Sequence, residues 1–301
     1  MTEKTQNFNS KIPVVIFGAG NAGIAAMENV SAQYNVIAFC DNDATKVNTL
    51  LNGKEVISAA KLLDYPFERI LIASEFFEKI KQQLLDMGIH HQQIQVLAAT
   101  QIKSLHFGED QQVTNNAIAI LLLVCATLKK AGVNYYVDAG TLLGIYRDGA
   151  LIPWDDDLDI AINSNQVAQT QAAISDLLPQ LQQLTQEPWL LNCYEAKQDF
   201  GAVKSGNVRS LKLQPQNVHN ELPLMDFFVK YVEGNVMDYT LSSRGIRMPS
   251  EHLLQLDTMR FAGADINIPS NTELYLERHY GDWRTPKKDW NLSELKNATV
   301  Y

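Results

Sequence analysis

Apolar runs of strand length alternate with amphipathic stretches through the first hundred residues. "PVVIFGAG" reads as a buried strand entering a glycine turn, and "NAGIAAMENVSAQY" has helical spacing. "NVIAFCDND" and "RILIAS" are further apolar strands, and "QIQVLA" is a last one. Between them "ATKVNTLLNG" and "SAAKLLDY" predict short helices, and "EFFEKIKQQLLDMGI" predicts a longer one closed by Gly88. Strand and helix in alternation predict a parallel sheet with helices on both faces.

The pattern fades from about Gln101 to Asn115, a polar stretch that reads as a linker. This gives a first domain over residues 1–100 and a second over 116–301. The second opens with a long helix from about Asn116 to Ala131, closed by Gly132. Strand "NYYVDAG", short helix "TLLGIYRDG", strand "DLDIAI" and a Gln-rich helix over about Gln166 to Gln186 follow. Then come irregular strands, the apolar "LPLMDFFVKY" and a tail rich in turns and aromatics. The expected class is α/β: an N-terminal Rossmann-like parallel sheet and a C-terminal mixed α/β domain.

Composition narrows the function. The chain has 301 residues and a net charge of −9, which argues against sequence-independent nucleic-acid binding. Cys40, Cys125 and Cys193 are scattered, with no zinc-ligand spacing and no disulfide framework, which fits reduced, buried thiols in a cytoplasmic protein. The start, "MTEKTQNFNSK", has no apolar signal core. The longest apolar run, Ala117 to Leu128, is short for a bilayer span and reads as a core helix.

Two places carry candidate chemistry. "GAGNAG", Gly18 to Gly23, follows a strand and opens a helix, as a dinucleotide-binding turn does. Gly18, Gly20 and Gly23 would let a phosphate approach, and Asp41, ending the next strand, stands where a ribose-binding acid would lie. The same residues also suit a tight strand–helix turn that binds nothing.

The second place is "LIPWDDDLDIAI". In a strand, residues i and i+2 share a face roughly 6.6 Å apart. Asp157 and Asp159 are such a pair, and unpaired carboxylates that close raise each other's pKa. A hard divalent cation, Mg²⁺ or Mn²⁺, removes the penalty. Asp226, flanked by apolar residues in "LPLMDFF", predicts a third ligand on a neighbouring strand. Asp155 and Asp156 precede the strand, as substrate contacts or as a solvated turn. Gly140 and Thr141 start a short helix and offer backbone N–H groups and a hydroxyl to a phosphate, or a plain cap. Arg147, about two turns along that helix, could reach a phosphate or pair with a nearby acid.

"GTLLGIYRDGALIPWDDDLDIAI", "LMDFF" and "INIPSNTELYLERHYGDWRTP" occur in that order and together resemble the LicD family, which includes the fukutin-related transferases and belongs to the nucleotidyltransferase-fold superfamily. The resemblance runs from about Asn115 to Trp290. Asp148 after Arg147, and the segment between Trp189 and Asn220, depart from it. The first domain resembles small Rossmann-like modules fused to bacterial glycan-assembly enzymes. The resemblance implies a nucleotidyltransferase-like second domain and transfer of a phospho-alcohol, such as phosphocholine or ribitol phosphate, from a CDP-linked donor to a glycan hydroxyl. Asp157, Asp159 and Asp226 would hold the metal, and Arg147 would offset charge on the phosphate. Lys204, with Arg209 and Lys212, could meet phosphates or form a solvated surface. Tyr280 and Trp283 could line the acceptor pocket or pack the C-terminal segment. A cytoplasmic site with transient contact to membrane-bound glycan precursors is implied. A nucleotidyltransferase moving NMP from an NTP, or a non-catalytic nucleotide-sugar-sensing protein, are the alternatives.

Overall fold

A computed structural model of the chain describes residues 11–103, 105–217, 222–288 and 290–300. The polar N-terminal stretch discussed above lies almost wholly outside them. The chain divides into two compact units, Met1–Ser104 and Leu105–Tyr301.

The first unit is built on β1 (Ile12–Phe17), α1 (Asn21–Val30), β2 (Tyr34–Cys40), β3 (Leu50–Leu51), β4 (Lys54–Ile57), β5 (Arg69–Ile72), α2 (Phe77–Asp86) and β6 (Ile94–Val96). Its sheet has the order β3-β4-β2-β1-β5-β6, parallel except for β3. Alternate residues of β1 enter different apolar clusters: Val14 and Ile16 join one, Val15 and Phe17 the other. Both faces are therefore covered, which explains the continuous apolar runs. The strand order turns back between β1 and β5, the switch point of a doubly wound sheet, and Gly18 lies directly after β1.

The helix expected over "ATKVNTLLNG" does not form along its length. Leu50 and Leu51 pair with Glu55 and Lys54 across a two-residue turn at Asn52 (φ 45°) and Gly53 (φ 74°). Asn-Gly with both φ positive is the tight hairpin turn that matches strand twist, and this signal outweighs the weak helical spacing.

The boundary between the units, after Ser104, falls inside the expected linker, and the rest of that stretch belongs to the second unit. Phe107 is buried in the core, and helix α3 begins at Gln111, capped by Asp110, whose carboxylate accepts the Gln112 N–H at 2.6 Å. α3 (Gln111–Lys130) meets the length and apolarity of a membrane-crossing helix. Val113, Ala117, Ile120, Leu121, Val124, Cys125 and Leu128 nevertheless form one buried face in the core. Cys193 is exposed, contrary to the expectation for all three thiols, because it lies on an edge strand.

The remaining elements are β7 (Tyr135–Val137), α4 (Ala139–Asp148), β8 (Asp157–Asn163), α5 (Val167–Thr185), β9 (Trp189–Glu195), β10 (Val208–Pro215), β11 (Leu224–Glu233), β12 (Val236–Leu241), β13 (Arg244–Pro249), α6 (Glu251–Leu254), β14 (Leu256–Phe261), β15 (Ala264–Pro269), α7 (Thr272–Tyr280) and β16 (Ala298–Val300). β11 is the hub. Its first residues pair in parallel with β8 and antiparallel with β10, and its last residues pair with β12. The sheet continues through β13 to β16 on one side and ends at β9 on the other, while β7 flanks β8. β14 and β15 form a separate hairpin. The chain is thus mixed α/β in both units.

Candidate active site

The acids meet through strand register. In the parallel pairing of β8 and β11, Asp159 stands opposite Asp226 and Asp157 opposite Leu224. Paired residues of neighbouring strands share a face, so Asp157, Asp159 and Asp226 project to one side of the sheet. Asp155 and Asp156 precede β8, and the carboxylates of Asp155, Asp156 and Asp157 each place an oxygen within 4.8 Å of the others.

The helix start beside them is shaped to these acids. Asp138 caps α4, its Oδ1 accepting the Ala139 N–H at 2.8 Å. Ala139 takes a positive φ of 42°, which directs the Gly140 N–H onto Asp159 Oδ2 at 3.1 Å. A Cβ on Gly140 would fall well inside contact distance of Asp155 Oδ2, so only glycine lets this carboxylate approach the turn. Thr141 is buried, and its Oγ1 accepts the Asp159 N–H at 2.8 Å. The Gly140 N–H and the Thr141 hydroxyl oxygen are therefore engaged with β8. They clamp the helix start to the strand, and Asp138 rather than Thr141 supplies the cap.

Electrostatics identify where the strain lies. Burial first, then the nearby charges of Asp157, Asp155, Asp226 and Asp138, hold the Asp159 carboxyl well above the usual carboxylate range. An oxygen-only donor set with mutual repulsion fits a hard divalent cation, which relieves that repulsion.

Behind the acids sits a buried polar network. The Lys230 ammonium is fully buried, 2.8 Å from Asp138 Oδ2 and 3.0 Å above the Tyr239 ring centroid. Tyr275 donates to Asp138 Oδ1 at 2.6 Å. Burial alone would raise the Asp138 carboxyl, but Lys230, His279 and Tyr275 together bring it below its ordinary value. His279 lies between the Tyr239 hydroxyl (2.6 Å) and Asn297 Oδ1 (2.9 Å). An Nδ1–H donated to Asn297 leaves Nε2 to accept from Tyr239, and burial pulls its pKa down to about 4. The sequence carried a usable signal for Lys230: like Asp226 it interrupts an apolar strand, and four residues away it shares that face.

The other predicted residues divide. Tyr280 neighbours the acids: burial, then the charges of Asp138, Asp159, Asp155 and Asp157, push its hydroxyl far up. Its ring meets Trp290 edge-on at 5.3 Å. Trp283 is buried in the core against Tyr146, 5.7 Å between centroids, and is packing rather than pocket wall. Arg147 lies about 12 Å along α4 from Ala139. Its guanidinium forks onto Asp148 (2.7–3.1 Å) and donates to the Trp283 carbonyl at 3.3 Å, fastening the helix end to the C-terminal segment. Asp148, the departure from the family pattern, takes up the charge that a phosphate was expected to meet.

Lys204 is 60% exposed and donates to the Gly201 carbonyl on the turn between β9 and β10. The same turn bonds Asp238 through the Ala202 N–H, and Asp238 pairs with Tyr231, five residues beyond Asp226 along β11. Tyr231 lies about 16 Å along β11 from Asp226. Lys212, by contrast, reaches the acids: it stands opposite Asp226 on β10, its Nζ 3.3 Å from Oδ2.

In the first unit, Gly18 (φ 122°) passes so close to the Ala73 carbonyl that no side chain fits, and Gly23 packs equally close to the Gly18 carbonyl. Gly18 lets the end of β1 approach the end of β5, and Gly23 lets α1 pack on the turn after β1. Gly20 precedes α1 without a side-chain cap, and a Cβ there meets open space. Asp41 Oδ2 accepts the Ala19 N–H at 2.8 Å and pairs with Lys46 at 3.0 Å, while Oδ1 accepts the Asp43 N–H at 2.9 Å.

Comparison with known proteins agrees with this division. Residues 132–271 match the family model described as "LicD/FKTN/FKRP, nucleotidyltransferase domain", and residues 10–95 match "C2185-like, N-terminal". The mouse protein "Ribitol-5-phosphate transferase FKTN" is 29% identical over 176 residues, covering 57% of this chain and 34% of its own length. An uncharacterized protein of Rickettsia prowazekii, RP689, is 26% identical over 249 residues, covering 79% of this chain and 75% of its own. The chain thus spans about a third of the mouse relative and three quarters of the rickettsial one. Among solved structures, ANT(2")-Ia with adenylyl-2"-tobramycin aligns at 13% identity and a TM-score of 0.34, covering 61% of this chain and 83% of its own.

Proposed function

From a chain whose residues 132–271 match the LicD/FKTN/FKRP nucleotidyltransferase domain, we propose a metal-dependent transferase that moves a phospho-alcohol from a CDP-linked donor to a hydroxyl of a glycan or its precursor. The observation that carries this reading is strand register: Asp226 stands opposite the buried Asp159, on the face that also carries Asp157, with Asp155 and Asp156 just before the strand. The FKTN and FKRP relatives, named as ribitol-5-phosphate transferases, support the class of group moved.

In this reading Asp157, Asp159 and Asp226 hold Mg²⁺ or Mn²⁺, which supplies charge neutralisation of the phosphates. Asp226 takes the proton of the acceptor hydroxyl. The acceptor oxygen bonds to the phosphorus that carries the alcohol, the bond from that phosphorus to the CMP oxygen breaks, and CMP leaves with the electron pair. Gly140 and Thr141 act by fixing Asp159, not by holding phosphate. Arg147 and Trp283 lock α4 to the C-terminal segment. Tyr280 borders the acceptor side. The work is cytoplasmic, with transient contact to membrane-bound glycan precursors.

The test is incubation of the full chain with Mg²⁺ and CDP-ribitol, CDP-choline or CTP, with a glycan acceptor, following nucleotide products. Release of CMP from a CDP-alcohol is expected. Consumption of CTP with release of pyrophosphate, and no CMP from either CDP-alcohol, overturns the reading in favour of a nucleotidyltransferase proper.

A further inference from the structure

Three neighbouring strands place a row of charged side chains on one sheet face: Lys212 on β10, Asp226 on β11 and Asp159 on β8, each opposite the next. With strands about 4.8 Å apart, Lys212 stands roughly 10 Å from Asp159 by backbone. Among the described residues two lysines stand beside the acids, and they differ in exposure. Lys230 is fully buried, fixed by Asp138 and the Tyr239 ring. Lys212 has a 29% exposed side chain and rests on Asp226 at 3.3 Å. Leu211 and Leu213, buried on either side of it, fix the strand, while the Lys212 side chain stays partly exposed.

A lysine is a compact charge on a flexible stem. Beside Asp226 it offsets part of the carboxylate repulsion. A divalent cation taken up by the same carboxylates repels the ammonium, and a donor diphosphate brought to that cation attracts it. Building on the reading above, we propose that Lys212 is a movable counter-charge: it occupies Asp226 before metal binds and passes to the donor diphosphate afterwards. It is a positioning residue that couples donor binding to metal binding. Because coupling is reciprocal, the same residue that weakens metal uptake in the absence of donor strengthens it in its presence.

The test titrates Mn²⁺ into the full chain by calorimetry or by electron paramagnetic resonance, without and with CDP, for the native protein, Lys212→Met, Lys212→Arg and Asp157→Asn. Lys212→Met is expected to bind Mn²⁺ alone about fivefold more tightly and to bind CDP in the presence of Mn²⁺ about tenfold more weakly, with little change in melting temperature. Lys212→Arg retains most of both native behaviours. Unaltered or weaker Mn²⁺ binding by Lys212→Met overturns the counter-charge role, and unaltered CDP binding overturns the transfer to donor. If the native protein and Asp157→Asn take up Mn²⁺ identically, the acids hold no metal and the underlying reading falls instead.

Discussion

The glycine turn of the first unit and the acid cluster of the second are built alike and behave oppositely. Each lies where a strand meets a helix, and each brings an aspartate from a neighbouring strand against the turn. In the first, Asp41 receives two backbone N–H groups and the Lys46 ammonium. Burial would raise its carboxyl, but the donors from Asp43, Ala19 and Lys46 bring it below its ordinary value. In the second, Asp159 receives the Gly140 N–H but is buried and faces further acids, and burial first, then those charges, drives its carboxyl up. The same residue type at the same kind of position is content in one unit and strained in the other. A satisfied aspartate closes its turn, whereas a strained one is where an incoming charge can be used.

The strongest way to break this contrast is to remove the strain. Asp159→Asn and Asp157→Asn are each expected to cut CMP release from a CDP-alcohol at least a thousandfold. Asp159→Asn should also melt no lower, and without metal higher, than the native protein near neutral pH. A group with a raised folded pKa costs stability as pH climbs from the unfolded value through the folded one. The metal-free native protein should therefore lose stability over that range while Asp159→Asn does not, and added Mn²⁺ should restore it to the native chain. Differential scanning calorimetry across pH reads all three.

Gly140→Ala sharpens the comparison from the turn. Its Cβ must displace the Asp155 carboxylate, so activity is expected to fall at least tenfold while the circular dichroism spectrum stays native.

The buried network behind the acids predicts a smaller effect. His279 has a folded pKa of about 4 against an ordinary 6.5. Its contribution is complete above the unfolded value and is lost as pH falls from there through the folded one, by roughly 3 kcal/mol at most. His279→Gln should flatten that part of the pH profile of stability measured by urea unfolding.

The smallest effect belongs to Asp41. Asp41→Asn is expected to cost the first unit about 1 kcal/mol, and native Asp41 loses its contribution as pH falls through its depressed pKa. A larger shift on adding a nucleotide to the native first unit than to the variant would show that Asp41 also serves a ligand.

Sequence alone determined the elements with strong local signals. The alternating apolar runs of the first unit, the long amphipathic α3, and the Asp-apolar-Asp strand depend on period and composition, which act within a few residues. The same locality makes "ATKVNTLLNG" ambiguous: its spacing is helical, but Asn52–Gly53 is the stronger signal and makes a hairpin. It also hides the core residue in the polar stretch between the units, since the burial of Phe107 depends on residues far along the chain. Tertiary structure decided which charges meet. Only strand register sets Asp226 against Asp159, brings Lys212 rather than Lys204 to the acids, and seats Lys230 on Asp138. Only packing of the C-terminal segment brings the Trp283 carbonyl to Arg147. Charge interactions depend on distance through space and on burial, and neither is written in the spacing of residues along a chain.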